Sequence, residues 1–370
     1  MKITFVVPSL NFTGGIRVVS IYAKLLAERG HIVTVVSPGE KLPTLKEKIK
    51  ETIKWKGYTF KSGFNRSFFD NADYDLKLLD THRPVTSNDV PDADVIIATF
   101  WNTAEWISGY PSNKGEKIYF IQHYEVHPWL PIERVKATYN LPYKKIVVSQ
   151  WIADALSVLH NVVDIQIVPN GVDSKQFYSP VRNKQSNPTF GVMYSPRSYK
   201  GCNIAFEAFA IAKRSNPDMR LIAFGSTEPE QIFSLPTSTE YYRLPKQNEL
   251  KNIYSKCDAW LFSSISEGFG LPILEAMACR TPVIGTKSGA APMLINEMNG
   301  FLVDINDASA LAKSMITISE MSNNEWKLYS ESAYLTSIKY KWTEAVEMFE
   351  SALLLAKSGQ VSVGSRRVKR

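Results

Sequence analysis

The 370-residue sequence is poor in cysteine, modest in charge and without a long hydrophobic run. Its three cysteines, Cys202, Cys257 and Cys279, are odd in number and form no CxxC pair. A disulfide framework and a thiolate metal site are therefore not expected, and buried free thiols in a reducing compartment are. No stretch approaches the roughly 20 uninterrupted apolar residues that a bilayer-spanning helix needs. The opening Met1-Lys2-Ile3-Thr4-Phe5-Val6-Val7-Pro8 has one basic residue and an apolar run ended by proline. It fails as a secretory signal, so a cytoplasmic location is expected. Charged residues make up 21% and hydrophobic ones 44%, with 18 Phe, 17 Tyr and 8 Trp. That much buriable surface excludes a disordered chain, and the length calls for two cores rather than one. No short-period repeat or low-complexity tract interrupts it.

What charge there is sums to +7, which invites a polyanionic partner. Arg366, Arg367, Lys369 and Arg370 crowd the last five positions as a basic tail. A second concentration runs from Lys41 to Arg66, where Lys46, Lys48, Lys50, Lys54, Lys56 and Lys61 alternate with Leu42, Leu45, Ile49 and Ile53 at helical spacing, beside Trp55. Two readings fit this pattern: a basic amphipathic helix lying on an anionic membrane surface, or a surface helix packed on its own domain. No aromatic-and-basic stripe or known reader motif accompanies the charge, so nucleic acid is not an expected partner.

Short β-branched runs alternate with helical stretches throughout. They are Ile3 to Val7, Ile32 to Val36, Val95 to Thr99, Lys117 to Ile121, Ile146 to Ser149 and Ile165 to Val168, then Thr189 to Met193, Leu221 to Phe224, Ala259 to Phe262, Pro282 to Gly285 and Phe301 to Val303. This alternation predicts an α/β protein with doubly wound parallel sheets covered by helices on both faces. Polar and proline residues without periodicity between Val172 and Pro188 predict a boundary. The expected division is a first domain over 1–173, a linker over 174–188 and a second domain over 189–340, two similar halves facing each other across a cleft. Ligands then belong at the carboxyl ends of the strands.

Two glycine-containing turns stand at such ends. After the first strand, Asn11-Phe12-Thr13-Gly14-Gly15 leads into the apolar helical face Ile16, Val19, Ala23 and Leu26. Paired glycines admit close backbone approach, and a helix start offers free N–H donors to an anion such as a diphosphate. The turn is not GxGxxG, which argues against a dehydrogenase-type dinucleotide site. After the strand Ala259 to Phe262 comes Ser266-Glu267-Gly268-Phe269-Gly270-Leu271-Pro272-Ile273-Leu274-Glu275. Here a loop carboxylate, a helix start with Pro272 in its first turn and a second carboxylate occur within nine residues. The grouping suits a ligand with a sugar, a phosphate group and a further polyol: Glu267 on sugar hydroxyls, the amides of Phe269 to Leu271 on phosphate, Glu275 on a ribose. Equally, Glu275 could only complement the dipole of its own helix. His123 follows a strand and should emerge at its carboxyl end, although a lone histidine is more often structural. His123 and His127 have helical spacing, but Pro128 makes the segment a loop, and no metal is expected. The triplets Asp73-Tyr74-Asp75 and Asp92-Ala93-Asp94 read as coincidence, the second because it precedes its strand.

Glu267-Gly-Phe-Gly-Leu-Pro-Ile-Leu-Glu275 resembles the E-x7-E signature of retaining glycosyltransferase family 4, whose members have the GT-B fold of two Rossmann-like domains. Gly14-Gly15 resembles the family's N-terminal glycine loop, Pro169-Asn170-Gly171-Val172-Asp173 with Phe177 its NGVD…F segment, Lys200-Gly201 its KG pair, and Asn299-Gly300-Phe301-Leu302-Val303 its NG strand. Trp342, Ala345, Val346, Phe349 and Leu353 resemble the final helix that crosses back to the first domain, expected over 341–357 and followed by a basic tail over 358–370. The run Tyr119-Phe120-Ile121-Gln122-His123-Tyr124-Glu125 is similar to bacterial polysaccharide and rhamnan-type transferases.

The resemblance implies a metal-independent enzyme, without a cofactor, that moves a sugar from a nucleoside diphosphate sugar to a glycan or lipid-linked acceptor. A non-catalytic nucleotide-sugar or polymer-binding subunit of the same fold is the alternative. It implies Glu267 and His123 at the donor sugar, Glu275 at the ribose, Lys200 at the leaving diphosphate and the amides of Gly268, Phe269, Gly270 and Leu271 along both. Glu125 is the nearest candidate for the acceptor side. The family's arginine five residues before that lysine is replaced by Ser195; Arg197 either reaches the phosphate or is a surface arginine. Met293 stands where the family more often has glutamate.

Overall fold

The computed structural model describes residues 1–40, 68–69, 73–229 and 234–358. The Lys41–Arg66 segment and the tail from 359 onward lie outside the described residues. The chain forms two compact units: Met1–Val147, Ala153–Ile167 and the chain from Val346 make the first; Val148–Ile152 and Val168–Ala345 make the second.

In the first unit, β1 (Lys2–Val6), β2 (Ile32–Ser37), β3 (Asp75–Leu78), β4 (Val95–Ala98), β5 (Glu116–Ile121), β6 (Lys144–Val147) and β7 (Ile165–Ile167) form one parallel sheet in the order β3-β2-β1-β4-β5-β6-β7. The central strands are continuous β-branched runs because both faces are covered; Val95, Ile96, Ile97 and Ala98 are all fully buried. Helices α1 (Gly14–Glu28), α2 (Trp101–Trp106), α3 (Ile132–Tyr139) and α4 (Gln150–His160) join the strands. Ile16, Val19, Ala23 and Leu26 are the buried stripe of α1, as their spacing requires.

The second unit repeats the plan. Its strands β8 (Thr189–Tyr194), β9 (Arg220–Gly225), β10 (Glu240–Arg243), β11 (Ala259–Phe262), β12 (Val283–Thr286) and β13 (Gly300–Val303) lie parallel in the order β10-β9-β8-β11-β12-β13. Counted within each unit, the sheets read 3-2-1-4-5-6-7 and 3-2-1-4-5-6, the doubly wound order, so each has a switch point between its first and fourth strands. Helices α5 (Cys202–Ser215), α6 (Leu250–Ser255), α7 (Leu271–Ala278), α8 (Ala291–Leu294), α9 (Ala308–Glu320), α10 (Asn323–Ser337) and α11 (Trp342–Lys357) complete the chain. From Val346 on, α11 belongs to the first unit, where Phe349 stacks on Tyr22 at 4.3 Å between ring centroids and meets Phe120 edge-on at 5.0 Å.

Two strands escape the periodicity. Asp-Leu-Lys-Leu of β3 and Glu-Tyr-Tyr-Arg of β10 are edge strands, where charged residues are tolerated and the apolar run shrinks. The polar stretch 174–188 belongs to the second unit. Buried Asp258 accepts from the backbone N–H of Gln185 and of Thr189, both at 2.8 Å, and Lys184 Nζ donates to the carbonyl oxygens of Ser319 and Met321. Its polarity thus reflects many specific ties rather than looseness.

Candidate active site

At the switch point of the second sheet two loops leave neighbouring strands: 195–201 after β8 and 263–270 after β11. Their backbones are joined, since the N–H groups of Ile265 and Ser266 donate to the Tyr199 carbonyl at 2.8 and 3.3 Å. Gly201 makes this approach possible. It is left-handed, φ +63°, and a Cβ there would stand 2.0 Å from the Ser263 carbonyl oxygen. Only glycine meets both demands.

This junction brings Lys200 to Glu267. The ammonium donates to Glu267 Oε1 at 2.5 Å, and Ser264 Oγ donates to the same oxygen at 2.9 Å. Both members are largely buried, Glu267 at 9% exposure. The ammonium also faces the Tyr199 ring at 5.5 Å, and Arg197 Nη1 donates to the Tyr199 hydroxyl at 2.8 Å. Arg197 is exposed on the same loop, linked to Lys200 through that tyrosine. Such an arrangement offers two cations and a carboxylate within one small region of loop.

The loop after Glu267 is fixed from several sides. The Gly268 carbonyl accepts from Ser149 Oγ at 2.7 Å and from Trp151 Nε1 at 3.0 Å. Phe269 is buried, and its carbonyl accepts from Ala290 N–H at 2.8 Å. Gly289, φ +59°, packs so closely that a Cβ would lie 2.7 Å from the Phe269 oxygen and 2.8 Å from Glu267 Cβ. Gly270 is left-handed, φ +97°, as the N-cap of α7, which begins at Leu271 with Pro272 in its first turn. The helix start therefore opens beside the Lys200–Glu267 pair. A small hollow lined by Lys200, Ser263, Ser264 and Pro272 lies here, floored by Val192 and Trp260.

Glu275 has a different setting. It is 4% exposed in α7, and its Oε2 accepts from the Tyr254 hydroxyl at 2.8 Å. Tyr254 is itself packed edge-on against Trp260 at 4.6 Å. Ser195 Oγ accepts from Arg197 N–H at 3.3 Å, and Met293 is exposed in α8.

In the first unit, Gly14 and Gly15 open α1 directly after the β1 loop, which Asn11 braces by accepting from Thr13 N–H at 2.8 Å. A Cβ on Gly14 would meet nothing within 4 Å among the described residues; one on Gly15 would touch the Gln122 side chain at 3.6 Å. The β1 and β5 loops therefore meet, and His123 follows Gln122. Its Nδ1 lies 2.9 Å from the Tyr124 carbonyl, which can only accept, so Nδ1 carries the proton and a neutral ring keeps its lone pair on Nε2. The ring stands 4.9 Å from that of His127, which stacks on Trp129 at 4.5 Å with a 7° interplanar angle.

Glu125 is placed in the core, 4% exposed. Its Oε2 accepts from Trp101 N–H at 2.9 Å, the first amide of α2, and lies 3.4 Å from the Tyr119 hydroxyl. Burial pushes its carboxyl up to about 8, against the lowering effect of those two donors. At the amino end of this sheet, Asp94 accepts from Lys2 N–H at 2.7 Å and pairs with Lys357, while Asp92 accepts from Asn113 and Lys114. Those carboxylates serve structure. Among the described residues no group of three His, Cys, Asp or Glu is arranged to hold a metal ion, and no helix is long and apolar enough to cross a membrane.

Sequence reasoning missed Tyr199, Ser264, Ser149, Trp151 and Tyr254. Tyr199 and Ser264 adjoin motif residues and had a positional signal; Ser149, Trp151 and Tyr254 reach the site only through tertiary packing.

Two doubly wound parallel-sheet units with a terminal helix shared between them define the GT-B architecture, and solved structures agree. Anabaena Alr3699/HepE, determined in complex with UDP and glucose, superposes with a TM-score of 0.74 over 96% of this chain and 99% of that one, at 17% identity. Residues 12–176 match the model for Glycosyltransferase Family 4, and residues 174–334 that for Glycosyl transferases group 1. Together these matches run from residue 12 to residue 334, and the chain belongs to the GT-B glycosyltransferases. It is similar to N-acetyl-alpha-D-glucosaminyl L-malate synthase of Bacillus anthracis, 25% identical over 90% of this chain and 93% of the relative. It is 29% identical to a D-inositol 3-phosphate glycosyltransferase of Paenarthrobacter aurescens over 41% of this chain and 42% of that protein, so it spans about two fifths of that relative.

Proposed function

We propose that the protein transfers a glycosyl group from a nucleoside diphosphate sugar to an acceptor hydroxyl with retention of anomeric configuration, in the assembly of a cell-surface polysaccharide or glycolipid. The observation that carries this reading is the Lys200–Glu267 pair beside the start of α7, at the switch point of the second sheet. In this reading the diphosphate lies against Lys200, with Arg197 and the α7 amides adding positive potential. Those groups neutralise the leaving charge without a divalent cation. Diphosphate binding loosens the Lys200–Glu267 contact and leaves Glu267 to accept from donor-sugar hydroxyls. Glu275 is assigned to the ribose, with Tyr254 fixing its second oxygen.

The bond from the anomeric carbon to the phosphate oxygen breaks as the acceptor oxygen bonds to the same face of that carbon. The acceptor's proton passes to the departing phosphate oxygen, so no enzymic nucleophile is required. The family resemblance assigns His123 to the donor sugar. The run Tyr119 to Glu125, similar to that of rhamnan-type transferases, supports the polysaccharide role.

The test is nucleoside diphosphate release from a panel of UDP-, GDP- and dTDP-sugars, with and without EDTA. Release with at least one donor, unchanged by EDTA, is expected. Binding without release from any donor would favour a non-catalytic subunit.

A further inference from the structure

Resting on the transferase reading above, we propose that Ser149 and Trp151 are positioning residues: through the Gly268 carbonyl they aim the amides of Phe269 and Gly270 at the donor's diphosphate. Both lie in Val148–Ile152, a short segment that folds with the second unit. They stand 119 and 117 residues before Gly268. Ser149 is fully buried immediately before α4, where a serine hydroxyl ordinarily serves its own helix. Here Oγ donates to the Gly268 oxygen at 2.7 Å, and Trp151 Nε1 donates to the same oxygen at 3.0 Å. A carbonyl oxygen has two lone pairs, so this one segment supplies a donor for each.

Peptide geometry gives those two bonds their consequence. In a planar trans peptide the carbonyl and the N–H that follows it point in opposite directions, and no peptide here is cis. A Gly268 oxygen held towards Ser149 and Trp151 therefore turns the Phe269 N–H the other way. The next peptide is held alike: the Phe269 oxygen accepts from Ala290 N–H at 2.8 Å, which directs the Gly270 N–H away from Ala290. Phe269 and Gly270 are buried, yet neither N–H donates to any group among the described residues. Buried backbone donors are nearly always paired, so two in succession at the start of α7, beside the Lys200–Glu267 pair, suit an anion. Glycines on both sides of Phe269 would let these peptides rotate cheaply. The anchors on the two carbonyls keep the donors aimed before the ligand arrives.

The test compares the full chain with Ser149→Ala, Trp151→Phe and the double variant. Calorimetry measures binding of UDP, GDP and dTDP, saturation-transfer NMR binding of the matching nucleosides, and the donor panel nucleoside diphosphate release. Each single variant keeps one donor on the Gly268 oxygen and should bind the diphosphate about fivefold more weakly, the loss of one hydrogen bond. The double variant leaves that buried oxygen unpaired and should bind it about a hundredfold more weakly, with release slowed to match. Nucleosides, which carry no phosphate, should bind all four proteins equally. Diphosphate affinity unchanged in both single variants, a double variant no weaker than the singles, or nucleoside and diphosphate weakened alike would each overturn the proposal, the last because a general loosening of the fold acts on both ligands. Should the double variant not fold, the single variants and the nucleoside comparison decide. Diphosphate binding that follows the anchors in a protein that releases nothing from any donor would support the anchors while removing the transfer reading. Release that ignores the anchors would remove the anchors alone, and a parent that binds no nucleotide would remove both.

Discussion

Glu267 and Glu125 hold comparable places in the two units, each on a loop leaving the carboxyl end of a strand, and each nearly buried at 9% and 4% exposure. Their surroundings differ. Glu267 meets a lysine and a serine hydroxyl. Glu125 meets a peptide N–H and tyrosines, with no cation in its described bonds. A carboxylate beside an ammonium is held by charge-assisted hydrogen bonds; one desolvated among phenols and amides is driven toward its neutral form. One strand order thus yields a carboxylate paired with a cation in the second unit and a carboxyl bonded to an amide and a phenol in the first, and the neighbours brought by the adjoining loops make the difference.

The glycines at the two helix starts contrast in the same way. Among the described residues nothing lies within 4 Å of a Cβ built on Gly14 at the start of α1, whereas Gly201 is wedged against the β11 loop. The first meets no described neighbour; the second lets two loops touch.

The sharpest test of this contrast removes the cation. Lys200→Ala should lower kcat with the true donor by about 10²- to 10³-fold, the usual loss for one preorganised charge-stabilising donor. Steady-state kinetics with unchanged kcat would mean that the second unit's carboxylate is as structural as the first's. Next, Gly201→Ala should destabilise the protein by about 3 kcal/mol in urea unfolding, since the new Cβ collides with backbone at positive φ. Gly14→Ala should change stability by less than about 1 kcal/mol. Similar values for the two would erase the difference between them.

The smallest effect concerns pH. Burial pushes the folded-state carboxyl of Glu125 up to about 8, from an ordinary value of 4.5. A raised value means that the folded protein binds the proton more tightly, so this contribution to stability is complete below about pH 4.5 and is lost as pH rises through 8. Glu125→Gln, which keeps an uncharged side chain of the same shape, should flatten that decline in melting temperature between pH 5 and 9. An equally steep decline in the variant would show that Glu125 is charged in the folded state.

Much of the site was legible in the chain, because helix starts, glycine turns and acidic pairs are local features. Glu267, Lys200 and the Gly270–Pro272 helix start read directly from short motifs, and the structure places them together. Arg197, left open between phosphate and surface, proves to be exposed and tied to Tyr199. Tyr254 and Trp151 could not be read, since the first lies 21 residues and the second 117 residues from its partner. Only folding reveals such pairs.

By itself the sequence determined the α/β class, the parallel strands and the positions of both glycine turns, because hydrophobic periodicity and backbone freedom are set by neighbours along the chain. Tertiary structure alone decided which carboxyl faces a cation and which faces a tyrosine, and it tied the 174–188 stretch to the second unit. Those outcomes depend on which strands lie side by side, and hydrogen bonds and charges act through space at a few ångströms, whatever the separation in sequence.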